Sequence, residues 1–167
     1  MFLYVSYDRP WLIQGGDPQP LFSMSSLATA SSYGGYKLVS IGDKNYFIAT
    51  QKSSEGNYAL ELWQTDATEK GTQKVLTMDG YEPTGIYAFQ DEIYFTGCSY
   101  SDSPVCKLWK SNGTENNVTW LADVAASQFM EYNNSLYFDD LPHFCHNSML
   151  YFSEINFKGM LCKRKNG

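Results

Sequence analysis

The stretch ELWQTDATEKGT, which runs from Glu61 to Thr72, recurs in altered form as KLWKSNGTE from Lys107 to Glu115. The Leu-Trp pair and the Thr-Glu pair of the first copy each return after 46 residues. A pattern that returns at a fixed spacing of this length is the sequence signature of a repeat architecture. We therefore expect a chain built from similar units, each containing one copy of this segment.

Short apolar and aromatic runs surround each copy and are separated by turn-forming residues. Tyr, Phe and Trp make up 16% of the 167 residues, and aromatic side chains favour pleated, half-buried strands. Four short antiparallel strands in each unit are typical of the blade of a β-propeller. The sequence therefore predicts an all-β fold with propeller-like repeats, amounting to about three and a half to four blades.

The unit boundaries follow from the Leu-Trp copies and the strands that flank them. We predict a single β-propeller over residues 1–167, complete or partial, with repeat units at 1–38, 39–84, 85–128 and 129–167. The two middle units carry the pattern most clearly. The first unit retains Trp11 before a Gly-rich break, and the last ends on Leu161-Cys162 in place of Leu-Trp.

The middle units resemble a secreted β-propeller repeat family whose signature reads Glu-Leu-Trp, two variable residues, Asp-Gly-Thr, two more variable residues and Gly-Thr. Ala67 stands where the signature has Gly, and Asn112 stands where it has Asp. The resemblance implies a repeat of large surface or adhesion-type proteins that acts as a scaffold and binding module, without catalytic residues or cofactors. It is carried by Glu61, Leu62, Trp63, Asp66, Thr68, Gly71 and Thr72, and by Leu108, Trp109, Gly113 and Thr114.

The residue types of the motif suit structural roles. Asp and Asn side chains cap turns by accepting hydrogen bonds from backbone N–H groups further on, and Gly permits positive φ there. We therefore expect Asp66 and Asn112 to shape turns and Trp63 and Trp109 to pack between blades.

Several features point to an extracellular or cell-surface location. There are four Cys residues and three Asn-x-Ser/Thr glycosylation sequons, at Asn112, Asn117 and Asn133. No apolar run approaches the roughly 18 residues of a membrane helix, which argues against membrane insertion. The start of the chain lacks a signal peptide, so we expect a mature or partial chain. The net charge of −6 argues against nucleic acid as the main partner.

The cysteines suggest disulfides if the compartment is oxidising. Cys98 and Cys106 end two adjacent predicted strands across a short loop, which brings their Cα atoms within disulfide reach. Cys145 and Cys162 would then pair with each other. Four cysteines allow three connectivities, and four buried free thiols in a cytosolic protein are the alternative.

Both His residues, His143 and His146, fall in one short segment with Asp139, Asp140 and Cys145. These residue types can bind a metal ion. Pro142 favours a loop there, however, and a single local cluster rarely completes a site. We therefore predict no metal site, with these His residues as the weak candidates.

Two functional hypotheses follow. The first is a non-enzymatic structural or adhesion module, glycosylated and stapled by disulfides, that engages proteins, glycans or copies of itself through open blade edges. The alternative is a carbohydrate-active hydrolase on a propeller scaffold. The chain contains no nucleophile motif and no Gly-rich phosphate loop after a strand, and we expect no enzyme.

Overall fold

Alternating apolar positions and Gly- or Asn-containing turns produce a fold made of short hairpins. The computed structural model describes residues 2–6, 9–13, 17, 19–20, 38–52, 58–99, 103–115, 117–140, 152–156 and 159–162. Within these ranges the chain forms four separate antiparallel sheets, three with four strands and one with three. Strands follow one another in chain order within each sheet, so each sheet is a meander of hairpins.

The strand bounds are as follows. Sheet 1 comprises β1 (Phe2–Ser6), β2 (Arg9–Ile13) and β3 (Gln19–Pro20). Sheet 2 comprises β4 (Val39–Ile41), β5 (Lys44–Lys52), β6 (Tyr58–Thr65) and β7 (Gln73–Asp79). Sheet 3 comprises β8 (Tyr81–Phe89), β9 (Glu92–Ser99), β10 (Cys106–Ser111) and β11 (Thr119–Ala122). Sheet 4 comprises β12 (Ala126–Tyr132), β13 (Ser135–Asp140), β14 (Phe152–Asn156) and β15 (Gly159–Cys162).

Sheet 3 lies between sheets 2 and 4 and buries an apolar cluster on each face. Successive side chains of a strand point to opposite faces, so neighbouring residues divide between the clusters: Tyr94 and Leu108 belong to one, Phe95 and Trp109 to the other. The cluster shared with sheet 2 consists of Tyr46, Ile48, Leu60, Leu62, Val75, Ile86, Ile93, Phe95 and Trp109. The cluster shared with sheet 4 consists of Phe89, Tyr94, Leu108, Ala122, Val124, Ala126, Phe129, Leu136 and Phe138.

Polar contacts link sheets 3 and 4 beside the apolar cluster. The Thr96 hydroxyl donates to the Ala126 carbonyl oxygen at 2.7 Å, and the Gln90 side-chain amide donates to Asn134 Oδ1 at 3.0 Å. The second bond joins the tips of two corresponding hairpins. Both hairpins turn through two residues with positive φ, 49° and 58° at Gln90 and Asp91 and the same values at Asn133 and Asn134. Positive φ at both central residues is the geometry that suits tight hairpins.

The predicted all-β, antiparallel fold is confirmed. All four sheets are open, and the described residues form no closed propeller ring. The prediction of a propeller and of its blade number thus goes beyond the observed sheets.

One strand begins earlier than the sequence predicts. The predicted boundary of the third unit at residue 85 places the start of its first strand at Gly85, but β8 begins at Tyr81. A bulge between Pro83 and Gly85 interrupts the register, so that Tyr81 pairs with Ser99 before the bulge and Gly85 pairs with Thr96 after it. Pro and Gly together are typical of a break between strands, whereas a bulge accommodates both residues inside one strand.

Candidate functional site

The two motif copies occupy corresponding places in sheets 2 and 3. Each begins on the third strand of its sheet, β6 or β10, and continues into the turn that leads to the fourth strand. Leu62 is fully buried between sheets 2 and 3, and Leu108 is fully buried between sheets 3 and 4. The structure therefore places the motif leucines on the face of each sheet that the next sheet covers.

The two motif tryptophans point to the opposite face and stack on the Phe directly across the strand pair. Trp63 stacks on Phe47 with ring centroids 6.3 Å apart, and Trp109 stacks on Phe95 at 5.7 Å. Trp109 also meets the ring of Tyr81 edge-on at 5.0 Å. Trp109 is buried, whereas Trp63 is partly exposed. Within the described residues these rings form packing contacts, not an open aromatic platform.

Glu61 has a role that the sequence analysis missed. Its side chain is only 2% exposed. One carboxylate oxygen accepts a hydrogen bond from the indole N–H of Trp63 at 3.0 Å, and the other pairs with the Lys74 ammonium at 2.9 Å. Residues two apart on a strand share a face, so the Glu-x-Trp spacing is the signal that predicts this contact. The motif Glu therefore orients the motif Trp.

The second copy replaces this arrangement. Lys107 stands where the first copy has Glu61, and its ammonium lies 5.7 Å from the centroid of the Tyr81 ring. A cation over an aromatic ring is attracted by the negative face of the π system. The position therefore keeps a contact with a neighbouring aromatic ring although its charge is reversed.

The turn of the first copy is held by a chain of hydrogen bonds. Asp66 Oδ1 accepts from the Thr68 N–H at 2.8 Å and from the Thr68 hydroxyl at 2.7 Å. The Thr68 Oγ1 in turn accepts from the Gly71 N–H at 2.9 Å, and the Thr72 hydroxyl donates to the Thr68 carbonyl oxygen at 2.6 Å. Because the Thr72 proton is used there, the Thr65 hydroxyl donates in the 2.7 Å contact between Thr65 and Thr72.

The turn of the second copy repeats the central element with Asn in place of Asp. Asn112 Oδ1 accepts from the Thr114 N–H at 3.0 Å and from the Thr114 hydroxyl at 2.7 Å. The Asn117 side-chain oxygen accepts from the Asn112 N–H at 3.3 Å and closes the loop from the other side. An acceptor oxygen followed two residues later by Thr is thus sufficient for this turn, whether or not the acceptor is charged.

The residue after the Asp or Asn adopts the left-handed conformation in both turns. Gly113 has φ +79°, and Ala67 has φ +70°. Ala67 stands where the second copy has Gly113, yet its backbone adopts the same left-handed conformation. At Gly113 there is a second constraint, because a Cβ atom would collide with the ring and hydroxyl of Tyr46 in sheet 2.

We expect the Asp66 turn to respond to acid and the Asn112 turn to be insensitive to it. The hydrogen bonds from the Thr68 hydroxyl and then from the Thr68 N–H lower the pKa of Asp66 below its ordinary value of 3.8. A lowered pKa in the folded state means that the stability contributed by Asp66 is fully present above pH 3.8 and is lost as the pH falls through the folded-state pKa.

Carboxyl-carbon chemical shifts recorded between pH 6 and pH 2 measure this pKa directly. We expect an Asp66 midpoint below 3.8, accompanied by movement of the Thr68 amide signal. The Thr114 amide, which is bonded to the uncharged Asn112, is the control within the same sample. An Asp66 midpoint at or above the ordinary value contradicts the turn geometry described here.

An ion pair at Glu92 links neighbouring strands of sheet 3. The Lys110 ammonium lies 2.8 Å from both carboxylate oxygens of Glu92, and the Tyr94 hydroxyl donates to the same carboxylate at 3.3 Å. Burial first, and then the Glu92 charge and hydrogen bond, raise the pKa of Tyr94 to about 12. A phenol that resists ionisation in this way supports packing and does not act as an acid near neutral pH.

All three sequon asparagines are exposed. Asn112 and Asn117 lie in the turn between β10 and β11, and Asn133 lies in the hairpin between β12 and β13. The Asn112 side-chain oxygen accepts both hydrogen bonds from Thr114, so these bonds do not engage the amide nitrogen. Surface turns of this kind have the space that a bulky glycan needs.

The predicted disulfide between Cys98 and Cys106 is confirmed. The two residues lie directly opposite each other on β9 and β10, and the Cα atoms are 3.9 Å apart. The connecting loop closes through the Ser99 N–H, which donates to the Val105 carbonyl oxygen at 2.9 Å, and through the Val105 N–H, which donates to Ser99 Oγ at 3.0 Å. The bridge staples the hairpin at the end of its strands.

Replacing both Cys98 and Cys106 with Ala is expected to lower the free energy of unfolding by about 2–3 kcal/mol, because the unfolded chain loses the constraint of a short closed loop. Urea denaturation under non-reducing conditions measures the difference. Wild-type protein treated with a reductant is the matched control and should lose at least as much, because reduction opens this bridge together with any other. A double variant as stable as the oxidised protein contradicts a structural role for the bridge.

Other predicted residues lie outside the described part of the chain. His143, His146 and Cys145 fall there, and the side chains of Cys162, Asp139 and Asp140 are likewise not described. The second disulfide therefore stays a prediction. Among the described residues, no group of three or more His, Cys, Asp or Glu side chains lies close enough together to hold a metal ion.

Comparisons of the chain with protein-family models, with curated proteins and with solved structures gave no match. The resemblance to the secreted propeller repeats thus stays a hypothesis based on the motif residues. The described part of the chain also contains no helix with the length and apolar character that crossing a membrane requires.

Proposed function

We propose that the chain is a non-enzymatic extracellular module for structure or adhesion, whose sheets serve as blades of a propeller-type repeat. The observation that carries this proposal is the use of the motif residues in both copies. Leu62, Leu108 and Trp109 pack between sheets, and Asp66 and Asn112 close turns. Motif residues that pack the core and close turns in both copies favour a scaffold function. A catalytic motif would instead direct polar groups towards an accessible cleft.

The charged residues of the described sheets support the same proposal. Glu61 is bound to Trp63 and Lys74, and Glu92 is bound to Lys110. A glycoside hydrolase instead needs two carboxyl groups that flank a bound sugar across a fixed gap. Carboxylates that are held by cations and indole N–H groups inside or between strands suit stability better than that chemistry.

The extracellular location is supported by the disulfide and by the exposed sequons. The bridge between Cys98 and Cys106 persists in oxidising compartments and is rare in the cytosol. N-linked glycans at Asn112, Asn117 and Asn133 would project from turns at the sheet ends. Partners of such a module are proteins, glycans or further copies of the chain, engaged by sheet faces or by edge strands such as β15.

Intact-mass measurement of protein secreted from a eukaryotic host tests the proposal. We expect attached sugar that enzymatic deglycosylation removes and no free thiol at Cys98 or Cys106 before reduction. An Asn112→Gln variant should lose one glycan, and Asn45→Gln, which alters an Asn outside any sequon, is its control. Four free thiols and no attached sugar contradict the extracellular function.

A panel of glycan substrates tests the alternative of a carbohydrate-active hydrolase. We expect no turnover by the wild-type protein. Turnover that disappears when Asp139, Asp140, His143 or His146 is replaced would overturn the non-enzymatic proposal, because these residues form the cluster of His and carboxylate side chains that the sequence offers for chemistry.

A further inference from the structure

The face of sheet 4 that points away from sheet 3 carries an exposed apolar patch. Met130 and Tyr132 on β12 are 49% and 61% exposed. Met130 lies directly opposite Tyr137 on β13, and the rings of Tyr132 and Tyr137 are 6.4 Å apart. Leu136 and Phe138, the neighbours of Tyr137, belong to the buried cluster on the other face. We refer to Met130, Tyr132 and Tyr137 as the outer patch.

Corresponding residues in the preceding sheets are buried. Sheets 2, 3 and 4 each have a hairpin with a two-residue turn. In each of them a Tyr-Phe pair begins three residues after the second turn residue. Tyr46 in sheet 2 is 3% exposed and Tyr94 in sheet 3 is 2% exposed. Sheet 3 covers the first and sheet 4 covers the second, whereas Tyr137, the third of the series, is partly exposed.

The residue before the turn follows the same series. Phe89 in sheet 3 immediately precedes the turn and is 5% exposed, because sheet 4 packs on it. Tyr132 immediately precedes the corresponding turn in sheet 4 and is 61% exposed. The outer patch therefore corresponds to the face of sheet 2 that sheet 3 covers and to the face of sheet 3 that sheet 4 covers. It has the same residue types that those two interfaces bury.

Sheet 1 offers a suitable cover at the level of its sequence and register. Phe2 pairs with Ile13 and Tyr4 pairs with Trp11, while the alternate position Leu3 pairs with Leu12. Both alternate sets of positions are thus mainly apolar; the exception, Ser6 paired with Arg9, lies at the end of the strand pair. Strands with this pattern are typical of sheets covered on both faces, whereas a sheet covered once usually alternates apolar with polar residues.

We propose that the outer patch binds sheet 1 of a second copy of the chain. This inference rests on the proposed function, since it names the surface and the partner for self-association. A contact between two different surfaces is heterologous, so it closes into a ring or continues as a filament according to the rotation between copies. Covering the patch would bury two tyrosines and a methionine, residue types that are enriched in interfaces.

Sedimentation velocity over a series of protein concentrations tests the surface. We expect the wild-type protein to associate reversibly and Tyr132→Glu to raise the dissociation constant by about tenfold or more, because a charge would be buried in an apolar contact. Trp120→Glu is the matched control: Trp120 is 56% exposed on β11, outside the outer patch, and its replacement should leave association unchanged. Circular dichroism confirms that each variant is folded.

Photo-crosslinking tests the partner. A photoreactive phenylalanine analogue at position 132, in a mixture of isotopically light and heavy copies, should give crosslinks between light and heavy chains that map to residues 2–13. Crosslinks confined within single chains overturn the proposal. So does a wild-type protein that stays monomeric. Association that Trp120→Glu weakens as much as Tyr132→Glu overturns it as well. None of these results changes the mass and thiol measurements, so failure here is distinguishable from failure of the proposed function.

Discussion

Replacing Gly113 with Ala is expected to lower the free energy of unfolding by about 2–5 kcal/mol. Gly113 has φ +79°, a conformation that costs an L-residue roughly 1–2 kcal/mol. In addition, the new Cβ would collide with the ring and hydroxyl of Tyr46, which is only 3% exposed in the cluster between sheets 2 and 3. Overpacking a buried site of this kind costs about 1–3 kcal/mol more.

Gly80 is the matched control for this prediction. It has the same φ of +79°, but a Cβ there would meet nothing within 4 Å. Gly80→Ala should therefore show the backbone cost alone, about 1–2 kcal/mol. Urea denaturation of the two variants isolates the contribution of the contact with Tyr46. Equal losses for Gly80→Ala and Gly113→Ala would mean that the turn of sheet 3 does not rest on sheet 2.

Replacing Trp109 with Ala is expected to lower the free energy of unfolding by about 3–5 kcal/mol. The indole is 4% exposed, stacks on Phe95 and meets Tyr81 edge-on. Its removal leaves a cavity between sheets 2 and 3 that neighbouring strands fill only in part. Thermal and urea denaturation should both show the loss.

Trp63, the counterpart of Trp109 in the other motif copy, provides the comparison. Trp63→Ala should cost about half as much, because this indole is partly exposed and therefore loses less buried apolar area. The two residues hold the same motif position, so only their different burial predicts a ranking. A Trp63 variant less stable than the Trp109 variant would therefore contradict the packing of Trp109 between sheets 2 and 3.

Local features of the sequence were sufficient to predict the all-β antiparallel fold, the turns at Asp66 and Asn112 and one disulfide. The Tyr-Phe pairs alternate between faces as a covered strand requires, and the loop between Cys98 and Cys106 fixed their pairing across a hairpin. The start of β8 at Tyr81 could not be predicted in this way. Its bulge depends on pairing with Gly97–Ser99, a contact between strands that no local pattern encodes.

In the candidate site, too, the local sequence predicts some roles, whereas others depend on contacts between distant parts of the chain. The roles of Asp66 and Asn112 follow from residue type, because a short polar side chain before Thr caps a turn wherever it occurs. The role of Glu61 depends also on Lys74, 13 residues away in the chain and on the neighbouring strand. The burial of Trp109 depends on sheet 2, which packs on that face of sheet 3. Contacts between strands and between sheets thus decide what the repeat alone leaves undetermined.

Nuclear Overhauser effects between side chains of different sheets test most directly the claim that sheet 3 is covered on both faces. We predict contacts from Gly113 to the Tyr46 ring across the interface with sheet 2. We also predict contacts between the rings of Tyr87 and Phe129, whose centroids are 5.8 Å apart, across the interface with sheet 4. If contacts within sheet 3 are observed but the contacts to Tyr46 or the contacts between Tyr87 and Phe129 are absent, sheet 3 is not covered on both faces.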